Sequence, residues 1–194
     1  LKEDMAAIGG IPPWVIMYFE KLLEITGEKN IKKIFPNFSL FVYGGVNYSP
    51  YKESFRQLIG EEVDSIEYYP ASEGFFAYQD SQKEEGLLLQ LNSGIFYEFI
   101  EIEEMKKNCP KRLTINEVEK QTNYVLVVST NAGLWGYNTG DTVEFTSLVP
   151  ARVKVTGRYK HFISAFGEHV IGSEDEKALK NTLVNEKVSI KDFT

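Results

Sequence analysis

The chain has 194 residues, of which 43% are hydrophobic and 25% are charged. This is the composition of a globular protein with room for one domain or slightly more. The formal net charge of -7 disfavours general binding to nucleic acid or anionic membranes. Apolar runs such as residues 124–128 are too short to span a bilayer, so no membrane partner is expected.

The ends of the chain and its cysteine bear on where the protein works. Cys109 is the only cysteine, so an internal disulfide is impossible and a reducing, cytoplasmic location is the default expectation. Leu1-Lys2-Glu3-Asp4 lacks the basic start and apolar block of a signal peptide. Because the chain also begins without Met, it fits a piece of a longer protein.

The first strong element is a helix. Pro12-Pro13 opens a segment in which apolar residues recur at helical spacing as far as Thr26. Gly27 follows directly, and glycine is a typical C-terminal end of a helix. The pattern therefore predicts one helix between these limits.

A strand, a helix and a second strand follow. Residues 40–43 predict a buried strand, and Gly44-Gly45 predicts a tight turn directly after it. Ser49-Pro50 predicts the N-cap and first turn of a helix that continues to Ile59. Residues 66–69 predict the next strand. This order predicts a parallel strand pair with a crossover helix, which is part of an α/β sheet.

The second half of the chain has a different pattern. Short runs rich in β-branched and aromatic residues are separated by polar or glycine breaks, which predicts an antiparallel, barrel-like β subdomain. The runs are residues 75–78, 86–91, 95–102, 124–130, 142–145 and 152–156. From Ser173 the pattern is helical again. We divide the chain into an α/β portion (1–85), a β-rich subdomain (86–157) and the start of a small C-terminal domain (158–194).

Three polar turns next to strand-like runs predict a nucleotide site. In the first turn, Glu73 is a hard oxygen ligand suited to magnesium, and Ser72 is a small hydroxyl donor. In Thr139-Gly140-Asp141 the carboxylate can accept both hydroxyls of a ribose. In the third turn, Arg158 can make charge-assisted bonds to ribose or phosphate oxygens. Taken singly, each turn is equally a solvated connection between strands.

Two other features fit a nucleotide less specifically. Gly44-Gly45 lets a flat ligand approach the backbone because no Cβ intrudes, although a plain tight turn explains it too. Tyr68 and Tyr69 are candidates for stacking on a base, but strand aromatics more often belong to the core.

Together these segments resemble the adenylate-forming superfamily, which includes acyl-CoA synthetases and luciferase. Within it the chain most resembles the bacterial form of the auxin-responsive Gretchen Hagen family of acyl-acid amido synthetases. Five segments carry the resemblance: residues 9–14 (G-G-I-P-P-W), 41–46 (F-V-Y-G-G-V), 69–73 (Y-P-A-S-E), 132–141 (A-G-L-W-G-Y-N-T-G-D) and 157–160 (G-R-Y-K).

The resemblance implies a set of site residues for ATP and Mg²⁺. In the family the glycine-pair strand lies against the adenine, a role that falls here on Gly44, Gly45 and Val46. The tyrosine lies at the base (Tyr69), the serine lies at the α-phosphate (Ser72), and the glutamate serves magnesium and catalysis (Glu73). The aspartate holds the ribose (Asp141), and the last motif, which contains Arg158 and Lys160, forms a domain hinge.

The chain departs from the family pattern at several points. Gly136 and Asn138 stand where the family usually has arginines, and Ala71 replaces one serine of a paired-serine motif. A Ser/Thr/Gly-rich phosphate loop, which lies upstream of the glycine pair in the family, is not found in the sequence. Most of the C-terminal domain is also missing after Thr194. The resemblance therefore implies a central fragment of a longer enzyme, with the fragment itself inactive.

The implied reaction is activation of a small carboxylic acid as acyl-AMP, followed by transfer to the amine of an amino acid. The acyl pocket is expected to draw on Trp14, Phe75 and Phe76, which fit a core equally well. Three alternatives remain open: an acyl-CoA-ligase-like enzyme with a thiol acceptor, a catalytically degenerate binding module, and a partner-binding β-rich domain with chance motif matches. The sequence does not fix the acid, the acceptor or the oligomeric state.

Overall fold

The computed structural model describes residues 3–159 and, beyond them, the backbone of two short strands. These two strands, β10 (Ile163–Ala165) and β11 (Glu168–Val170), pair antiparallel. The described residues form two compact units that divide between Tyr68 and Tyr69. The hinge at Lys160 and the helix from Ser173 lie outside the described residues, and the three-part domain division stays a prediction.

The first unit combines helices with parallel strands, as the sequence predicts. Strands β1 and β2 and the first part of β3 form a parallel sheet in that order, so the predicted strand–helix–strand crossover is confirmed. Its elements are β1 (Ala7–Gly9), α1 (Pro12–Thr26), α2 (Ile31–Ile34), β2 (Leu40–Tyr43), α3 (Lys52–Ile59) and β3 (Asp64–Ala71).

The limits of helix α1 follow from its sequence. Prolines occupy its first positions, where the missing N–H is not needed for an intrahelical bond. Gly27 ends the helix in the left-handed region at φ 71° and donates its N–H to the Leu23 carbonyl oxygen. Phe19 on this helix is fully buried and packs edge-on against Phe38 and Phe55. The aromatic contacts attach α1 to the rest of this unit.

The predicted start of α3 is wrong by two residues. Ser49 is not the N-cap, because the helix begins at Lys52 after Tyr51. The Asn47 side chain accepts a hydrogen bond from the Ser49 N–H at 2.9 Å, and the Tyr51 N–H bonds to the Tyr48 carbonyl oxygen. Such an asparagine turn competes with helical geometry at these residues.

The second unit is an antiparallel sheet, which confirms the β-rich prediction. Its strands pair in the order β4-β5-β9-β8-β7-β6. They are β4 (Gly74–Tyr78), β5 (Leu87–Leu89), β6 (Ile95–Glu101), β7 (Asn123–Thr130), β8 (Tyr137–Leu148) and β9 (Ala151–Arg158), with a 3-10 helix (Ile102–Lys106) after β6.

The sheet curls as the barrel-like prediction implies. Its first and last strands meet through side chains, since Phe76 on β4 packs edge-on against Tyr97 on β6 at 6.2 Å between ring centroids. A Cβ on Gly74 would lie 2.8 Å from Ile95 Cδ1, so the two strand starts are close. Among the described strands, however, backbone pairing does not close the sheet into a full barrel.

The predicted turn at Thr139-Gly140-Asp141 is wrong, because these residues lie inside β8. They form an irregular segment rather than a strand end. Thr142 pairs with Val125 while Asn138 pairs with Val127, so three residues of β8 face a single residue of β7. Gly140 takes φ 80°, and the Asn138 side chain accepts its N–H at 2.8 Å. Polar residues here mark a bulge within a strand.

Gly157 and Arg158 are also strand residues, since β9 extends through Arg158. The register between β8 and β9 shifts next to this point, between Thr142 and Val143. The sequence therefore misjudges where β8 begins and where β9 ends. Among the described residues, no helix is both long enough and apolar enough to cross a membrane.

Phe99 and Phe96 on β6 provide a matched test of the core. Phe99 is fully buried, whereas Phe96 is 58% exposed on the other face of the same strand. Phe99→Ala is expected to lower the free energy of unfolding by about 3–5 kcal/mol, because it leaves a cavity among packed rings. Phe96→Ala should change it by less than about 0.5 kcal/mol. Urea unfolding of both variants measures the difference, and equal losses would contradict the assigned faces.

Candidate functional site

Three of the predicted site residues form one hydrogen-bonded cluster in the second unit. The Tyr69 hydroxyl donates to Oδ2 of Asp141 at 2.7 Å. The Arg158 guanidinium meets the other oxygen of the same carboxylate, with 3.0 Å between Nε and Oδ1. Tyr69 and Asp141 are buried, while the Arg158 side chain is largely exposed. The Asp141 carboxylate is therefore held by a buried hydroxyl on one oxygen and by a largely exposed guanidinium on the other.

The strands explain why these residues meet. Asp141 and Arg158 are direct Cα partners in the β8–β9 pairing. The Tyr159 N–H bonds to the Gly140 carbonyl oxygen at 2.7 Å and holds the two strands together at this level. The Thr139 hydroxyl donates to the Leu126 carbonyl oxygen and accepts the Asp141 N–H. The bulge thus turns the Asp141 side chain towards the end of β3, where Tyr69 lies.

The electrostatics of the cluster keep Tyr69 a hydrogen-bond donor. Burial raises the pKa of the Tyr69 hydroxyl far above its ordinary value, and the negative charge of Asp141 raises it further. Glu73 contributes in the same direction, which places its charge within electrostatic range of the hydroxyl. Arg158 opposes the shift but does not reverse it. The hydroxyl therefore remains protonated at neutral pH.

Ser72 and Glu73 form the predicted turn. They are the two residues between β3 and β4, with Ser72 exposed and Glu73 half-buried. Within the described residues, no group of three or more His, Cys, Asp or Glu side chains is arranged to hold a metal ion. Glu73 thus fits magnesium only as a single carboxylate ligand, with the remaining ligands from phosphate and water.

The residues predicted to lie along the adenine belong to the first unit. Gly44 is buried at the end of β2, while Gly45 and Val46 are exposed. Gly45 takes φ 86°, and a Cβ built on it would have no atom within 4 Å. Glycine is thus required here by backbone conformation and not by crowding within the described residues.

Two of the predicted acyl-pocket residues, Phe75 and Phe76, lie on opposite faces of β4. Phe76 is fully buried, whereas its neighbour Phe75 is 45% exposed. Adjacent residues of a strand point to opposite faces, so these two rings cannot line the same pocket. Trp14, in the first unit, is 68% exposed on α1.

A cleft in the second unit was not predicted from the sequence. It has a volume of about 420 Å³ and lies where β6 begins and β7 ends. Its walls combine apolar side chains with small and polar residues: Leu91, Gly94, Ile95, Phe96, Ser129, Thr130, Asn131, Gly133 and Trp135. Trp135 is 85% exposed, which is unusual for so large an apolar side chain. Its place within the motif at residues 132–141 is the only sequence signal for this cleft.

Gly136, one of the two positions where the resemblance implies an arginine, lies next to the side chain of Arg112. Gly136 takes φ 54°, and a Cβ on it would lie 2.6 Å from Nη1 of Arg112. Arg112 itself pairs with Glu98 on β6 at 3.2 Å. A guanidinium thus lies beside Gly136 although the motif has no arginine there. Asn138, the other departure, uses its side chain to accept the Gly140 N–H within the bulge.

Comparison with known proteins gives a family match over part of the chain and a similar fold. Residues 88–158 match the model of the GH3 family central domain. The fold is similar to that of GH3.15 acyl acid amido synthetase, with a TM-score of 0.65 and 19% identity over 89% of this chain and 33% of that one. For AtGH3.15 acyl acid amido synthetase in complex with 2,4-DB the TM-score is 0.68, with 17% identity over 89% of this chain and 32% of that one.

A CoA ligase has the same fold. An open conformation of 2-hydroxyisobutyryl-CoA ligase in complex with 2-HIB-AMP and CoA has a TM-score of 0.60 and 15% identity, covering 91% of this chain and 41% of that one. The chain spans about a third of the length of the two amido synthetases. A comparison of the sequence with curated proteins gave no match.

The fold is therefore similar to part of the fold of these ligases. Within this chain, residues 88–158 match the GH3 family central domain, and two GH3.15 acyl acid amido synthetase structures are similar in fold. The resemblance predicted from the motifs is thus confirmed as a resemblance, by the match over residues 88–158 and by the similar fold, while the bacterial form stays a prediction.

Proposed function

We propose that the intact protein containing this chain activates a small carboxylic acid with ATP and transfers the acyl group to the amine of an amino acid. The observation that carries this proposal is the cluster of Tyr69, Asp141 and Arg158. It supplies a fixed carboxylate and a cation, which suit the hydroxyls of a ribose and a nearby phosphate. The GH3 family match and the amido synthetase likeness support the same reaction.

The chemistry explains why ATP is needed. A carboxylate is a poor electrophile because oxide would have to leave. Attack of its oxygen on the α-phosphorus of ATP forms the acyl-AMP, and the bond to the bridging oxygen breaks to release pyrophosphate. The amine nitrogen then attacks the acyl carbonyl, AMP leaves with the electron pair of the C–O bond, and the nitrogen loses a proton. AMP is a far better leaving group than oxide.

The predicted site residues have the following roles in this proposal. Asp141 accepts the ribose hydroxyls, and Arg158 binds ribose or phosphate oxygens. Ser72 donates to the α-phosphate, and Glu73 is the carboxylate that would hold magnesium, which offsets phosphate charge when bound. Gly44, Gly45 and Val46 are proposed to lie along the adenine, and Lys160 at the hinge between domains.

The cleft beside the Ser72-Glu73 turn is our candidate for the acid site. Gly74 follows the turn directly and packs against Ile95, which lines the cleft. The cleft volume of about 420 Å³ is in the range of small-ligand pockets. Phe75, exposed on β4, remains a further candidate for the acyl pocket, and Trp14 stays a prediction from the sequence.

Two alternatives have specific observations behind them. A thiol acceptor is compatible with the likeness to 2-hydroxyisobutyryl-CoA ligase, whose structure contains CoA, although the family match favours an amine. A degenerate binding module is compatible with Gly136 and Asn138 in place of arginines, although the guanidinium of Arg112 beside Gly136 weakens that argument.

The test is ATP–pyrophosphate exchange by the intact protein, measured against a panel of small aromatic and aliphatic acids. Acid-dependent exchange supports the first half-reaction. Mass spectrometry of products formed with mixed amino acids or with CoA then separates an amide from a thioester. ATP binding without exchange for any acid would overturn the synthetase proposal in favour of the binding module.

A further inference from the structure

We propose that Thr130 determines which acid the cleft accepts: its hydroxyl selects an acid whose uncharged body carries a hydrogen-bonding group, such as an alcohol or phenol hydroxyl. This inference rests on the proposed function, in which the cleft holds the acid. It adds a substrate class and a specificity-determining residue. The observation that carries it is a buried hydroxyl without a hydrogen-bond partner on a residue that lines the cleft.

The hydrogen bonds of Thr130 are complete except at its side chain. Its N–H donates to the Leu134 carbonyl oxygen at 2.9 Å, and its own carbonyl oxygen accepts the Gly133 N–H at 3.1 Å. The side-chain oxygen Oγ1 is buried and, within the described residues, has no hydrogen-bond partner. Because the whole residue is only 7% exposed, bulk water does not freely supply the missing bond.

An unpaired buried hydroxyl needs a physical explanation. Folding removes such a group from water without replacing its hydrogen bond, which costs free energy. Valine has almost the same branched shape and would fill this position without that cost. A partner that arrives in the cleft explains the hydroxyl, because Thr130 is a lining residue. Rotation about χ1 exchanges the positions of the hydroxyl and the methyl group, and so turns the hydroxyl towards a ligand.

The rest of the cleft sets the character of the ligand. Its apolar walls include Leu91 and Phe96, and within the described part of the chain none of the lining residues is charged. A carboxylate would meet no cation here, so the carboxylate of the acid stays outside, on the side of the Ser72-Glu73 turn. An uncharged body therefore enters the cleft, and one polar group on it bonds to Thr130. A dicarboxylic acid should be rejected, because its second charge would be buried without a partner.

The experiment uses pairs of acids that differ by a single hydroxyl group: benzoate against its monohydroxy isomers, and pentanoate against 5-hydroxypentanoate. Isothermal titration calorimetry measures their Kd for the intact protein, with and without AMP. The wild-type protein is expected to bind the hydroxylated member of at least one pair about tenfold more tightly. Thr130→Val keeps the shape and removes the hydroxyl, so this preference should fall to about twofold or less. Thr130→Ser keeps the hydroxyl and should retain the preference.

Thr156→Val is the matched control. Thr156 is also a buried threonine of the second unit, 4% exposed, but its hydroxyl donates to Oδ1 of Asn123 at 2.6 Å. Its replacement should lower the melting temperature without changing the preference among acids. Thr130→Val removes a hydroxyl that has no such bond to lose. It should therefore leave the melting temperature of the ligand-free protein unchanged or raise it.

Equal affinity of the wild-type protein for both members of every pair, or no binding of any of them, would overturn the inference. A preference that survives in Thr130→Val would overturn it as well. So would a lowered melting temperature of Thr130→Val with unchanged acid preference, which would assign the hydroxyl to a buried water. Calorimetry does not depend on turnover, so acid-dependent pyrophosphate exchange on the same samples tests the proposed reaction separately. Exchange without an effect of Thr130 would leave the proposed function intact.

Discussion

Asp141→Asn in the intact protein is expected to raise the KM for ATP by about 10- to 100-fold while leaving the KM for the acid within about twofold. The amide has nearly the shape of the carboxylate but loses its charge and one acceptor oxygen. It therefore weakens both the Arg158 ion pair and the proposed bonds to ribose hydroxyls. Steady-state pyrophosphate exchange, with each substrate varied in turn, measures the two constants.

Asp80→Asn is the matched control for this substitution. Asp80 pairs with Arg152 through two hydrogen bonds, one of 2.9 Å, and lies in the same unit as Asp141. Its loss should reduce stability by a comparable mechanism without a selective change in KM for ATP. Equal rises in both Michaelis constants for Asp141→Asn would count against ribose binding and favour a purely structural role.

The sequence predicts much of the first unit because its signals are local. The prolines and Gly27 define the limits of α1 almost to the residue, and the predicted limits of β2 are correct at both ends. By contrast, β1 and α2 are three and four residues long, and segments so short carry almost no periodicity. The predicted start of α3 is wrong because the Asn47 side chain accepts the Ser49 N–H and forms a turn ahead of the helix, which the Ser-Pro pattern does not reveal.

The sequence indicates Asp141 and Arg158 as candidate site residues but does not predict the strand geometry around them. Asp141 was expected in a turn, but a bulge in the long strand β8 presents it, and bulges depend on the partner strand. The bond from Tyr69 to Asp141 joins residues 72 positions apart, so local patterns cannot reveal it. The same holds for Arg112 beside Gly136 and for the cleft, which exist only once distant strands have paired.

Glu73→Gln is expected to lower kcat for acid-dependent pyrophosphate exchange by about 10²–10³-fold, the usual cost of removing one electrostatic group that acts on the reacting phosphate. The amide is neutral and is a poor ligand for magnesium, whose preferred ligands are charged oxygens. Glu73 is half-buried in a two-residue turn, so its replacement should leave the sheet intact. Urea unfolding of the variant checks that expectation.

A control variant and a magnesium titration separate metal binding by Glu73 from other roles of its charge. Glu101, an exposed carboxylate at the end of β6, is the control, and Glu101→Gln should leave exchange and its magnesium dependence unchanged. If Glu73 holds the metal, its variant should also need a higher magnesium concentration for half-maximal rate. Wild-type exchange at ordinary magnesium would remove Glu73 from the reaction. A loss of rate with unaltered magnesium dependence would instead assign its charge to a role in positioning the phosphate.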